Sequence, residues 1–454
     1  MFNFKAFGLK SNKKLFKTLA NKVNGPTTDA LLSLLKMFFE IRELKKRNKR
    51  GQRLNTNSFF DNKEMTLFFI CRGFLRNQNS GVTNWIGSIA KGLNQDPRYR
   101  VIILCESTFF GFDYRAETDF EIIGLSAIKF LRRERFGYDL AWNRACLDFI
   151  ESKEIDQENA YFIGPLAGIE MFFSSKLNKA TPILLLMTPR GLDRNTQDLN
   201  QKQSKVLKRE KLYKEYESSM CFDSRTILIS DSQKLLEDLD SYFERTVSRS
   251  AYVVPIGHIN DFCTNLAHTN QVLYFGPLRW RKGSDLLPSI VRQFSLRFPE
   301  WRFVVATSGG ELPEIHRELR LLGSIENFKL VENPNETVKH ELMRTSDILL
   351  LPSRYESFGM VASEALMHGM KIVCAEVGGV PEVVKSESEF VVEFSATAFL
   401  NSIESLINKN QFSELEKITR STEARERFSP SRMINEFDSI IQRAQDSKSK
   451  PDGL

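Results

Sequence analysis

The stretch ILLLPSRYESFGMVASEALMHGMKIVCA (348–375) holds the pattern that decides the fold. Its ends, ILLLP (348–352) and KIVCA (371–375), are short continuous apolar runs, as expected of strands that are buried on both faces. Between them, a loop containing Ser357-Phe358-Gly359 leads into a helical segment. A strand, a loop, a helix and a strand in this order predict a parallel sheet covered by helices.

Apolar runs of the same kind recur on both sides of this stretch. Upstream of a polar break at 265–270 they are 65–71, 101–105, 161–165, 182–187 and 226–230, and downstream they are 272–276, 303–306, 348–352, 371–375 and 390–394. The sequence therefore predicts an α/β protein with two Rossmann-like, doubly wound domains. In such folds ligands bind beyond the carboxyl ends of the strands.

Length and charge divide the chain further. A chain of 454 residues is long enough for two domains. The net charge is +7, but residues 1–53 carry +11 and the remainder −4. We predict a basic extension and linker at 1–64, an N-terminal domain at 65–264, a C-terminal domain at 271–428, and a closing helix and tail at 429–454.

Several classes of protein lack support. No apolar run approaches the ~18 residues that span a bilayer, and lysines interrupt any signal-peptide core near the N-terminus. The six cysteines and five histidines are scattered without ligand spacing, so we predict no metal site. There is no G-x-G-x-x-G fingerprint and no P-loop, and we predict no cofactor.

The segment 352–369 places two carboxylates around the start of a helix. Glu356 lies in the loop and Glu364 about one and a half turns into the helix. The first N–H groups of a helix have no partner inside it, and they attract a phosphate. One carboxylate can then reach the sugar end of a nucleotide-sugar, while the other can accept hydrogen bonds from the ribose hydroxyls. The alternative is that Glu356 caps the helix and Glu364 is a solvated surface residue.

The segment YFGPLRWRKGSDLL (274–287) supplies cations after another strand. Arg279, Arg281 and Lys282 lie in the loop that follows Gly276. A basic loop at the carboxyl end of a strand suits a diphosphate, although a solvated basic turn is the alternative.

Together these segments resemble the retaining glycosyltransferases of family four, the group 1 glycosyl transferases. The spacing of Glu356 and Glu364 around S-F-G matches the hallmark of that family, and Gly276, Leu278, Lys282 and Gly283 match its second motif. AEVGGVPEVV (375–384) is similar to its G-G-x-P-E turn. The resemblance covers roughly 65–445 and is weak before residue 250. It implies the GT-B fold, with the two domains facing a cleft, and a nucleotide-diphosphate sugar as donor.

Carried over residue by residue, the resemblance implies roles for the matching positions. Glu356 and Lys282 are the predicted catalytic residues. The predicted donor-binding residues are Gly81, Arg279, Lys282, Gly359, Met360, Val361 and Glu364. Pro277 stands where the family has an arginine, so we expect Arg279 or Arg281 to replace it, with Arg279 favoured. The family's acceptor-side histidine has no counterpart here, and Arg190 stands near that place.

The predicted function is transfer of a sugar, as in hexosyltransferases and with retention of configuration, to a glycan, lipid-linked or small-molecule acceptor. Pro277 and the missing histidine keep open an inactive GT-B protein that acts as a binding or partner subunit. An epimerase of the same fold would need acid/base groups across the cleft, and no histidine precedes His258.

The basic extension calls for a separate hypothesis. Phenylalanines and leucines alternate with lysines in residues 1–53, a composition that suits an anionic membrane surface. The alternative is a solvated arm, or helices packed on the enzyme body. We expect a cytoplasmic protein, peripheral at the inner face of the membrane and engaged in polysaccharide biosynthesis. Nucleic acid is a disfavoured partner, since no aromatic-rich binding motif accompanies the charge.

Overall fold

The computed structural model describes residues 65–72, 74, 81–106, 113–116, 121–125, 138–153, 155–165, 175–187, 214–258, 268–385, 389–391, 393–409 and 412–449. The predicted basic extension, the loop before Gly81, Arg190 and residues 265–267 of the predicted 265–270 linker lie outside these residues.

The N-terminal domain is a largely parallel sheet with the order β3-β4-β2-β1-β5-β6-β7-β8. Only β3 runs antiparallel to its neighbour among the strand pairs of this described sheet. The strands are β1 (Met65–Ile70), β2 (Tyr99–Glu106), β3 (Asp113–Ala116), β4 (Glu121–Leu125), β5 (Ala160–Pro165), β6 (Thr181–Leu186), β7 (Ile227–Ser230) and β8 (Ala251–Val253). The named helices are α1 (Gly81–Leu93), α2 (Tyr138–Glu151) and α3 (Gln233–Phe243).

The C-terminal domain is a second sheet with the order β11-β10-β9-β12-β13-β14, in which every pair of neighbouring described strands is parallel. Its strands are β9 (Gln271–Phe275), β10 (Arg302–Thr307), β11 (Phe328–Glu332), β12 (Ile348–Leu351), β13 (Lys371–Ala375) and β14 (Glu389–Val391). Its helices are α4 (Leu287–Arg297), α5 (Pro313–Leu321), α6 (Glu336–Arg344), α7 (Met360–Met367), α8 (Val380–Val384), α9 (Ala396–Lys409) and α10 (Glu414–Arg427).

The predicted fold is confirmed: two parallel, helix-covered α/β domains follow one another along the chain. The continuous apolar runs became central strands because both sheet faces are buried there, and every residue of β6 and β13 is buried. The apolar runs did not predict β3, β4, β8 and β11. Of these, β3, β8 and β11 lie at sheet edges, and only the first residue of β11 is buried.

A last helix, α11 (Pro430–Ser449), ties the two domains together. The side chain of Ile434 fits against Gly92 of α1, where an added Cβ would lie 2.0 Å from Ile434 Cδ1. Tyr161 Oη of β5 donates to Gln445 Oε1 at 2.7 Å. Along the described part of the chain, no helix combines the length and apolarity that crossing a membrane requires.

Candidate active site

The site is organised by the turn between β12 and α7. Gly359 begins the helix with φ +97°, a conformation that L side chains rarely adopt. Ala362 and Ser363 are the first residues whose N–H groups bond back to the Gly359 carbonyl, at 2.8 and 3.2 Å. The N–H groups of Met360 and Val361 precede these bonds, so they are free of the helical ladder and can meet an anion.

Lys282 and Glu356, the two predicted catalytic residues, are in direct contact. Lys282 Nζ donates to both carboxylate oxygens of Glu356, at 2.6 and 2.8 Å. Ser353 Oγ donates to Oε1 of the same carboxylate at 2.7 Å. Burial alone would raise the pKa of Glu356, but the charges of Lys282 and Arg281 outweigh it and hold the pKa below its ordinary value. Glu356 is therefore an anion at neutral pH.

The basic loop after β9 takes its shape from glycine. Gly283 has φ +67°, and a Cβ there would lie 1.7 Å from the carbonyl oxygen of Pro352. No other residue fits, because both the backbone angle and the space exclude a side chain. The close approach brings Lys282 to the loop that carries Glu356.

The two arginines of that loop point to different neighbours. Arg281 Nη1 donates to the Tyr355 carbonyl at 2.9 Å and lies 3.7 Å from Glu356 Oε2. Arg279 is more exposed, and its Nε lies 3.4 Å from Glu311 Oε1. Arg281 is thus the arginine beside the predicted catalytic pair.

Glu364 is buried with a different cation. Lys339 Nζ, from α6, donates to Glu364 Oε1 at 2.9 Å and lies 2.6 Å from Glu336 Oε2. His258 Nδ1 is 3.8 Å from Glu364 Oε1. Burial would raise the pKa of Glu364, yet the charge of Lys339 outweighs it and holds the pKa below its ordinary value. Burial also lowers the pKa of His258, which is therefore neutral near pH 7.

Gly81 lies across from the start of α7. It begins α1 in the N-terminal domain, and a Cβ added there would lie 2.8 Å from Met360 Sδ. The N-terminus of α1 in the N-terminal domain therefore lies next to the N-terminus of α7 in the C-terminal domain. Two predicted donor-binding residues that are 279 positions apart in the sequence are neighbours here.

Three residues of the site, Ser353, Lys339 and His258, were not predicted from the sequence. Lys339 lies among charged residues on an amphipathic helix, a pattern typical of a solvated face, so no sequence signal marked it as buried. Ser353 lies inside the segment 352–369, three residues before Glu356, so its position in the sequence could have marked it as a partner of that glutamate. Within the described part of the chain, no group of three or more His, Cys, Asp or Glu side chains is arranged to hold a metal ion.

Comparison with known proteins bears on this site directly. Residues 264–426, which include every C-terminal site residue described above, match the sequence model of the family "Glycosyl transferases group 1". This chain is a GT-B protein with a group 1 glycosyl transferase domain. The resemblance to glycosyl transferases of group 1 that was stated from the motifs is confirmed for these residues.

Individual relatives are distant. The D-inositol 3-phosphate glycosyltransferase of Corynebacterium efficiens is 30% identical over 194 residues, which are 38% of this chain and 45% of that protein. The chain thus spans about half or less of the length of the first curated relatives it matches.

Solved structures extend the likeness of fold over both domains of this GT-B protein. A sucrose-phosphate synthase from Thermosynechococcus elongatus superposes with a TM-score of 0.66 at 14% identity, covering 84% of this chain and 100% of that one. Anabaena HepE in complex with UDP-glucose gives a TM-score of 0.62 at 14% identity, with 84% and 100% coverage.

Proposed function

We propose that this GT-B protein transfers a sugar, with retention of configuration, from a nucleotide-diphosphate sugar to an acceptor bound against the N-terminal domain. The observation that carries the proposal is the Lys282–Glu356 pair beside the free amino end of α7. A cation and a helix N-terminus together suit a diphosphate, and a carboxylate next to them suits sugar hydroxyls.

Each site residue takes a role in this proposal. Lys282, the N–H groups of Met360 and Val361 behind Gly359, and the backbone at Gly81 surround the diphosphate. As the glycosidic bond breaks, negative charge grows on that diphosphate, and fixed positive groups stabilise it. Glu356 holds the transferred sugar. Glu364 accepts hydrogen bonds from the ribose, at the end of the pocket where Lys339 lies.

Of the two predicted candidates for the arginine that Pro277 displaces, Arg281 is now the better supported. The sequence favoured Arg279, but Arg281 lies 3.7 Å from the Glu356 carboxylate, whereas Arg279 lies beside Glu311. A guanidinium next to Glu356 can turn to a bound phosphate over a short distance. The departing phosphate accepts the proton of the acceptor hydroxyl in this scheme, so no histidine base is required.

The test is a transfer assay on the full chain. Purified protein is incubated with UDP-, GDP- and ADP-sugars, and released nucleotide diphosphate is measured with and without glycan, lipid-linked and small-molecule acceptors. NMR of the product's anomeric proton reports retention or inversion. An inverted product overturns the retaining mechanism. Failure of every donor to bind or react favours the inactive alternative, in which the protein acts as a partner subunit.

We also propose that residues 1–53 bring the enzyme to an anionic membrane, at the inner face, where a lipid-linked acceptor for polysaccharide synthesis would lie. Its +11 charge is the support, since each basic residue near such a surface contributes about 1 kcal/mol. Co-sedimentation with anionic and neutral vesicles, at two salt concentrations, compares the full chain with one that starts at Asn55. Equal pelleting of both contradicts the proposal.

A further inference from the structure

A second set of contacts joins the two domains beside the loop that carries Glu356. Glu382, at the start of α8 in the C-terminal domain, directs its carboxylate at the amino end of α3 in the N-terminal domain. Its oxygens accept hydrogen bonds from Gln233 N at 2.9 Å and Lys234 N at 2.7 Å. These are among the first N–H groups of α3, which have no partner within the helix and carry the positive end of its dipole.

The residue that caps α3 also crosses to the other domain. Ser232 Oγ accepts from Leu235 N at 3.2 Å, as an N-cap does, and donates to the Ser357 carbonyl at 2.6 Å. One turn into α3, Asp238 Oδ2 accepts from Tyr355 Oη at 2.9 Å. Both neighbours of Glu356 in the sequence are therefore held by the N-terminal domain.

The two glycines of the GGVPE turn make this approach possible. A Cβ on Gly378, whose φ is +50°, would lie 1.9 Å from the Glu356 carbonyl oxygen. A Cβ on Gly379 would lie 2.1 Å from the Ser357 carbonyl oxygen and 2.8 Å from Ser232 Oγ. Side chains at these positions would force the turn away from the Glu356 loop and from α3.

We propose that Glu382 is a positioning residue, which acts with Ser232, Tyr355 and Asp238 as a latch that holds the domains together and fixes the Glu356 loop for transfer. The effect of the latch on sugar transfer rests on the proposed function, whereas its effect on domain closure does not. Glu382 is an exposed residue, so both its carboxylate and the α3 N–H groups can return to water when the domains separate. The contact is therefore suited to open and close.

The experiment compares Glu382→Ala with Glu382→Gln and with the matched control Glu237→Ala. Glu237 is a carboxylate of α3 that pairs with Lys234 inside the same helix, at 3.2 Å, so its loss leaves the latch intact. Single-molecule energy transfer reports closure in the full chain. The dyes are placed on cysteines at the exposed positions Lys176 and Leu296, one in each domain, in a Cys263→Ser background.

We expect Glu382→Ala to reduce the ratio of closed to open molecules about fivefold, which corresponds to a helix cap of about 1 kcal/mol. Turnover at saturating donor should fall, while the affinity for free nucleotide diphosphate changes less than twofold, because Lys282 and the N–H groups of Met360 and Val361 all belong to the C-terminal domain and only the Gly81 backbone comes from the other. Glu382→Gln keeps one acceptor oxygen and should be intermediate. Tyr355→Phe, which removes one hydroxyl, should shift closure in the same direction.

Energy transfer unchanged from wild type in both Glu382→Ala and Tyr355→Phe overturns the latch. A closure shift in Glu237→Ala equal to that in Glu382→Ala also overturns it, since the effect would then belong to α3 alone. Thermal melting identifies any variant that is unfolded. If no donor is ever turned over, the proposed function fails, but closure still decides whether the latch exists.

Discussion

The two glutamates that flank the start of α7 are both buried, and each is paired with a cation from a different part of the C-terminal domain. Glu356 meets Lys282, from the loop after β9, and lies in the loop that leads into α7. Glu364 meets Lys339, from α6, with His258 beside it. In the proposed function the first pair binds the diphosphate and sugar, and the second binds the nucleoside. The difference shows that one motif places its two carboxylates in two environments, and that in each a nearby lysine offsets the cost of burying the charge.

Removing the cation from Glu364 should give the largest effect. Lys339→Met leaves a buried carboxylate without its partner, which costs about 3–5 kcal/mol of unfolding free energy. Urea unfolding followed by circular dichroism measures the loss. The control is Glu336→Ala, which removes the more exposed partner of Lys339 and should cost less than about 1 kcal/mol. Equal losses in the two variants would mean that Glu364 does not depend on Lys339.

Asp231 extends the comparison between Glu356 and Glu364, because it is a buried carboxyl group that pairs with no cation among the described residues. It follows β7 and packs against Ser232 and Ser357, and its Oδ1 has no hydrogen-bond partner among the described residues. Burial raises its pKa from 3.8 to about 7, although the two serine hydroxyls oppose the shift and Glu382 adds to it. The charge of Asp231 in turn helps to raise the pKa of Tyr355.

The sign of the pH effect follows from that shift. The folded protein holds the Asp231 proton more tightly than the unfolded chain, so stability falls as the pH rises from about 4 to about 7 and is then level. Asp231→Asn lacks this pH dependence. Its unfolding free energy relative to that of wild type should therefore increase over that range, by up to roughly 4 kcal/mol at 1.36 kcal/mol per pKa unit. Unfolding curves at pH 5, 6, 7 and 8 measure it. Parallel pH profiles for the two proteins would contradict the assignment.

The two motif glutamates should separate in kinetics. Glu356→Gln should lower turnover about hundredfold, as loss of one stabilising group near a reacting centre does, with nucleotide diphosphate binding nearly unchanged. Glu364→Gln should show the reverse, weak nucleotide binding with a smaller loss of turnover. Stopped assays measure turnover, and calorimetry with the free nucleotide diphosphate measures its binding. If the two variants share one profile, the division into sugar and nucleoside ends is wrong.

Lys282→Ala should weaken the donor about ten- to hundredfold, since charge-assisted hydrogen bonds are worth ~1.5–3 kcal/mol. Calorimetry with the preferred nucleotide-sugar measures this loss. Arg279→Ala and Arg281→Ala, compared in the same experiment, identify the arginine that replaces the one missing at Pro277. Full affinity in Lys282→Ala would remove Lys282 from the diphosphate site.

Much of the C-terminal half was predictable because its signals are local. Buried parallel strands favour continuous apolar runs, and the positive φ at the turn before α7 favours a glycine such as Gly359. Lys282 and Glu356 were predicted to share the site, and the structure has them in contact. Edge strands such as β3 gave no such signal, since they are short and their residues need not be apolar.

The sequence by itself determined two α/β domains, the family, and the carboxylates and cations that surround the start of α7. Only the tertiary structure decided which cation each carboxylate meets, because Lys339 reaches Glu364 across the gap between two helices. It also decided that Glu382 of the GGVPE turn caps a helix of the other domain. Pairings of this kind depend on how separate helices and strands pack against one another. The spacing of residues along the chain does not determine that packing.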